Sequence, residues 1–169
     1  MNPNLAEWND GPDTVAMETM IACCGARRWA EAMVALRPFS SIVELRTEAD
    51  RVWNTIEEGD WMQAFASHPR IGEHKAAHAS AISTAWSQQE QSSAVSASKQ
   101  VMDDLAEGNR LYEERFGFTY IVCATGKNGE EMLAILNRRL THDRSTELRE
   151  AVEQQRQIMQ IRLGKWLAS

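Results

Sequence analysis

Between Leu45 and Ile56 the apolar residues Leu45, Ala49, Val52, Trp53 and Ile56 recur at i, i+4, i+7, i+8 and i+11. An α-helix puts that set on one face, so the segment must bury a stripe against other elements. Helical spacing returns along most of the chain and predicts an all-α fold. One helix is expected after Asp13, through Val15, Met20 and Ile21. Another is expected over Arg27 to Leu36, with Trp29, Met33 and Leu36 inward, ending at Arg37-Pro38. Ser41-Ile42-Val43-Glu44 has the capping-box pattern just ahead of the Leu45 stripe.

A short helix over Asp60 to Ser67 then meets Pro69. Proline disfavours the α region in the residue before it, so His68 should stand at the helix exit. Ser87-Gln88-Gln89-Glu90 reads as a second capping box, opening a long helix with Met102, Leu105, Asn109 and Tyr112 on one face. Tyr120-Ile121-Val122 reads equally as a short strand or a buried extended stretch, since one strand alone lacks a partner. Gly126-Lys127-Asn128-Gly129 is a turn before a helix with Met132, Ile135, Leu136 and Leu140 inward. The last helix should run from about Ser145 to Trp166. No repeat or linker interrupts the pattern, and residues 1–169 read as a single helical domain. The first part of the Ala/Ser-rich section from His74 to Ser98 is expected to be a loop.

Composition narrows the function classes. A chain of 169 residues, 43% hydrophobic and 25% charged, can bury a core without metal or disulfide staples. The apolar run Tyr120-Ile121-Val122-Cys123-Ala124 is far too short to span a bilayer. A net charge of -6, with only Arg27-Arg28 and Arg138-Arg139 as adjacent basic pairs, argues against nucleic acid and anionic membrane as partners. Acidic Glu7, Asp10 and Asp13 leave no basic leader region, and Leu167-Ala168-Ser169 is not a peroxisomal address. Three cysteines, two of them adjacent (Cys23, Cys24 and Cys123), fit a reducing compartment, so a cytoplasmic location is expected. Their apolar surroundings suggest packing roles.

Several residues carry a chemical reading beside a structural one. His68 is either a helix-terminal histidine bonded to a carbonyl or a general acid/base, with an ordinary pKa near ~6.5 suited to proton transfer. Arg70 and Gly72 beside it suggest an anion-binding turn. Glu90 is either the capping partner of Ser87 or a carboxylate placed among helix N-terminal amides to receive substrate NH groups, with Ser87 and Gln91 beside it. Arg162 falls in register with Leu148, Val152, Met159 and Trp166. It either snorkels to solvent or takes a substrate carboxylate bidentately. His74 and His78, at i,i+4, are a weak metal-ligand pair, and His142 reads as a solvated loop residue.

In combination, these segments resemble the 2-oxo-4-hydroxy-4-carboxy-5-ureidoimidazoline (OHCU) decarboxylase family. The resemblance rests on Cys24-Gly25 with Trp29, Arg37-Pro38-Phe39, and Ala64-Phe65 leading into His68-Pro69-Arg70-Ile71-Gly72. It continues through Ser87 to Gln91, Arg115-Phe116-Gly117-Phe118, Arg139-Leu140, Glu147-Leu148 and Ile161-Arg162-Leu163. It implies an all-α enzyme without metal or organic cofactor, acting on a small molecule and usually a homodimer. Carried over residue by residue, His68 and Glu90 would be catalytic. Pro69, Ser87, Gln88, Gln89, Gln91, Tyr120, Ile121, Val122, Cys123, Ala124 and Arg162 would bind substrate. The connection from His68 to Ser87 is expected to be longer than in some relatives, which bears on loop closure. A non-catalytic helical interaction module and a metal-dependent hydrolase using His74 and His78 are the competing readings.

Overall fold

The computed structural model describes residues 2–72 and 80–169, with only the backbone at Val95. Ten helices and no strand are present among them. They divide into two compact units, one drawn from Met1–Ala64 and Arg156–Ser169, the other from Phe65–Gln155.

The first unit holds α1 (Pro3–Asp10), α2 (Asp13–Cys24), α3 (Arg27–Ala35), α4 (Ile42–Trp53), most of α5 (Glu58–Ala66) and the end of α10 (Arg144–Ala168). Helix α1 is not among the helices expected from spacing, although Asn2 caps it by accepting from the Leu5 amide and Pro3 supplies its first turn. The α4 stripe is buried as its spacing requires, with Leu45, Ala49 and Trp53 wholly shielded. Trp29 of α3 reaches the same core, and its indole N–H donates to the Ala49 carbonyl at 3.0 Å. Leu36, expected inward, is instead exposed at the end of α3. Ser41 caps α4 by accepting from the Glu44 amide, but Glu44 returns its carboxylate to the Ser40 amide and hydroxyl, so the predicted box is shifted by one residue. Asn2 and Asn4 side chains donate to the Leu167 and Trp166 carbonyls, satisfying acceptors that the end of α10 leaves open.

The second unit holds α6 (Ala81–Glu90), α7 (Ser92–Val95), α8 (Lys99–Phe116), α9 (Gly129–Arg139) and the beginning of α10. Leu105, Asn109 and Tyr112 share the buried face of α8 as expected, and Met132 and Leu136 that of α9. Helices α8 and α9 approach closely because Gly108 has no side chain. A Cβ there would lie 2.5 Å from a methyl of Leu136. Tyr112, Phe116, Phe118 and Tyr120 form a chain of ring contacts at 4.7–6.3 Å, which Phe65 joins through Phe118. The section expected as a loop begins outside the described residues, and from Ala81 it holds the helices α6 and α7.

Candidate active site

The His68 segment is built as proline dictates. Helix α5 stops at Ala66, the His68 amide closes a turn onto the Phe65 carbonyl at 3.1 Å, and buried Pro69 follows. The half-buried imidazole places Nε2 2.6 Å from Oε1 of Gln155, a residue of α10 with no exposure. Arg70 donates from two nitrogens to the Glu113 carboxylate of α8, at 2.6 and 2.7 Å. The anion held at this turn is thus a side chain of the protein. Gly72 has φ +90°, where a side chain would be strained and its Cβ would meet the Met102 methyl at 2.9 Å. Its amide donates to Oε1 of Gln91 at 3.2 Å, joining the His68–Gly72 turn to the end of α6.

That junction corrects the reading of Ser87 to Glu90. The pattern does not open a helix. Ser80 caps α6 by accepting from the Ser83 amide, and Ser98 opens the long helix α8 by accepting from Val101. A serine caps only where the chain enters a helix, and at Ser87 the chain has been helical since Ala81. Ser87 is therefore buried in the last turn of α6, Gln88 and Gln89 are exposed, and Glu90 is that helix's last residue. The helix dipole disfavours a carboxylate at this end, so neither capping nor dipole explains Glu90.

The segment Tyr120 to Ala124 is the buried extended stretch, not a strand. An extended backbone without a neighbouring strand needs other partners, and side chains provide them. The Cys123 amide donates to Oε1 of Gln154 at 2.8 Å, Lys127 Nζ donates to the Cys123 carbonyl at 2.8 Å, and Arg139 Nη1 donates to the Ile121 carbonyl at 2.6 Å. Gln154 and Gln155 are adjacent on α10, so one helical turn tethers both this segment and His68.

Arg139 belongs to a buried network not expected from the spacing of its members. Its Nε donates to Oε1 of Glu147 at 2.6 Å, the Tyr112 hydroxyl donates to the same oxygen, and His142 Nδ1 lies 3.0 Å from Oε2. His142 is thus a half-buried partner of Glu147, not a merely solvated loop residue. Burial opposes the Arg139 charge, but the hydrogen bond and charge of Glu147 hold its pKa above the ordinary value. Burial also pushes the Tyr112 and Tyr120 hydroxyls up, which keeps them neutral. The available signal was Arg139-Leu140 and Glu147-Leu148 among the matching segments. Gln154 and Gln155 carried none.

In the first unit Arg162 is 1% exposed, and its Nη1 donates to the Ala22 carbonyl at 3.2 Å. It does not snorkel. Cys23 and Cys24 are also buried there, and burial raises both thiols, Cys24 to about 12, against the opposing charge of Arg162. These two and Cys123 are buried and outside any disulfide, as expected of packing residues. His74 and His78 lie outside the described residues.

Residues 9–164 match the family model described as OHCU decarboxylase. The chain belongs to the OHCU decarboxylase family. It is similar to the uric acid degradation bifunctional protein TTL of Arabidopsis thaliana, 34% identical over 144 residues, which are 85% of this chain and 44% of that protein. It therefore spans less than half the length of that relative. It is also similar to the 2-oxo-4-hydroxy-4-carboxy-5-ureidoimidazoline decarboxylase of Haloferax volcanii, 32% identical over 83% of this chain and 81% of that protein. A crystal structure of OHCU decarboxylase in the presence of (S)-allantoin superposes with TM-score 0.78 at 32% identity, covering 94% of this chain and all of that one. A crystal structure of (S)-allantoin synthase, at 17% identity and TM-score 0.72, shares the fold. The all-α expectation and the family resemblance are both borne out.

Proposed function

We propose that this chain decarboxylates OHCU to (S)-allantoin and CO2 by acid/base catalysis without a cofactor. The observation that carries this reading is the family match over residues 9–164. Within one unit, His68, the end of α6 with Ser87 to Gln91, and the buried segment Tyr120 to Ala124 are linked through Gln91, Gln154 and Gln155.

The substrate bears a hydroxyl and a carboxylate on one ring carbon, next to a ring imine conjugated with urea-type groups. When the carbon–carboxylate bond breaks, CO2 leaves and the electron pair moves into the imine, so the substrate is its own electron sink. The imine nitrogen takes a proton, the hydroxyl gives one up as it becomes a carbonyl, and the former imine carbon gains one, so one proton is taken up overall. The face on which that carbon is protonated sets the S configuration. The enzyme must orient the breaking bond and deliver that proton. His68 moves the proton. Glu90, Ser87, Gln88, Gln89, Gln91 and Pro69 contact the substrate, with the backbone of Tyr120, Ile121, Val122, Cys123 and Ala124 binding its ureido and ring NH groups. Arg162 is assigned a substrate anion or carbonyl on its chemistry alone. Arg162→Ala should impair turnover or substrate binding, and a lowered melting temperature as the sole effect would reject that role. The reading also includes a homodimer, checked by light scattering, and cytoplasmic residence. No helix among the described residues is long and apolar enough to cross a membrane.

The test uses substrate made freshly with urate oxidase and the preceding hydrolase, followed by circular dichroism of the product. Wild-type protein should accelerate its decay and yield S-allantoin. His68→Asn should lose about 10²–10⁴-fold in rate while remaining folded. Wild-type rate and stereochemistry in that variant would exclude His68 as the acid/base.

A further inference from the structure

Gln155 is wholly buried, yet it is not apolar. A carboxamide removed from water costs free energy unless its polar atoms are matched, and leucine or methionine would suit burial alone. Its oxygen lies 2.6 Å from His68 Nε2, and that contact joins residues 87 positions apart. The His68 backbone is already held by the turn onto Phe65 and by Pro69. The amide therefore fixes what the backbone leaves loose, the tilt of the ring. With Gln155 Oε1 as acceptor, Nε2 carries the hydrogen and the neutral ring has its basic lone pair on Nδ1. A neutral amide sets this tautomer without adding a charge to stabilise the imidazolium, which a carboxylate in the same place would do.

Gln154, the next residue, holds the Cys123 amide at 2.8 Å. Adjacent side chains thus locate the imidazole and the extended backbone against one rigid helix. We propose that Gln155 is a positioning residue for the decarboxylation, holding His68 in the Nε2–H tautomer and in a fixed orientation beside the segment that Gln154 secures. This role rests on the reading of His68 as the acid/base.

The experiment uses the full ¹⁵N-labelled chain with wild-type, Gln155→Leu, Gln155→Glu and His68→Asn forms. Multiple-bond ¹H–¹⁵N spectra, with His68 assigned by its loss in His68→Asn, should show the Nε2–H form in wild type and mixed tautomers in Gln155→Leu. The same Gln155→Leu protein should lose about 10–100-fold in kcat, with KM within about twofold and a lower enantiomeric excess. Gln155→Glu, which keeps the shape, should move the limb of the rate profile governed by His68 to higher pH by about one unit. Should Gln155→Leu fail to fold, the Gln155→Glu profile and the wild-type spectrum decide, and an unmoved limb or an Nδ1–H signal overturns the proposal. Wild-type kcat and enantiomeric excess in Gln155→Leu, with His68→Asn inactive, would reject Gln155 alone. Full activity in His68→Asn would reject the reading of His68 and this role together.

Discussion

Arg139 Nε lies 2.6 Å from Glu147 Oε1, and neither side chain exposes any surface to solvent. Removing one member of such a pair strands the other charge in the interior. Arg139→Met should therefore cost about 3–5 kcal/mol of stability in urea denaturation. It would also remove the donor to the Ile121 carbonyl. The double variant Arg139→Met, Glu147→Leu should recover much of the loss. A single-variant change under about 1 kcal/mol would mean that the pair is not the anchor described.

Glu90→Gln separates chemistry from architecture. As the last residue of α6, Glu90 faces the unfavourable end of the helix dipole. Glu90→Gln keeps the side chain's shape and should leave the protein folded, while turnover falls by about 10²-fold or more. Loss of stability together with unimpaired turnover would restore a purely structural account.

Gly72→Ala tests the turn that follows His68. A φ of +90° and a Cβ position 2.9 Å from the Met102 methyl both oppose any side chain there. The expected loss is about 1–2 kcal/mol, accompanied by reduced turnover because the same turn carries His68. Met102→Ala should relieve only the steric part. If Gly72→Ala melts with the wild type, the turn is not under this constraint.

The Cys24 thiol titrates at about 12 instead of 9.0 because it is buried. In the unfolded chain it ionises near its ordinary value, so above that pH the unfolded state binds fewer protons than the folded one. The contribution is whole below about pH 9 and is lost progressively toward pH 12, at up to about 1.4 kcal/mol per unit. Cys23, raised by the same cause, acts in the same sense. Urea midpoints collected from about pH 8 to about pH 11 should decline in wild type and decline less steeply in Cys24→Ala. Parallel curves would show that the thiol contributes nothing.

The amphipathic parts of the fold were legible because burial leaves a periodic trace. The stripe from Leu45 to Ile56 and the Leu105, Asn109, Tyr112 face of α8 follow from spacing alone. Ser87 to Glu90 misled because the Ala/Ser-rich section offers several serines as caps, and only the chain path selects Ser80 and Ser98. His68 could be placed at its helix exit because the constraint lies in the next residue. Gln155 could not be singled out, since a polar residue reads as solvent-facing until its partner, far away in sequence, is known. Only the family resemblance named Arg139 and Glu147 together, and their pairing needed the fold.

Helix α10 turns positions 147, 151, 155, 158 and 162 to one buried side, and three of these are Glu147, Gln155 and Arg162. Divergence among relatives should be tolerated on the outer positions of α10 and resisted by the inner polar ones. Conversely, a design that raised the melting temperature by greasing the inside of this helix would succeed by the measure it optimised. It would also erase Gln155, which aims His68, and Glu147, which pairs with the Arg139 that holds the Ile121 carbonyl, giving a sturdier protein with its working parts unmoored.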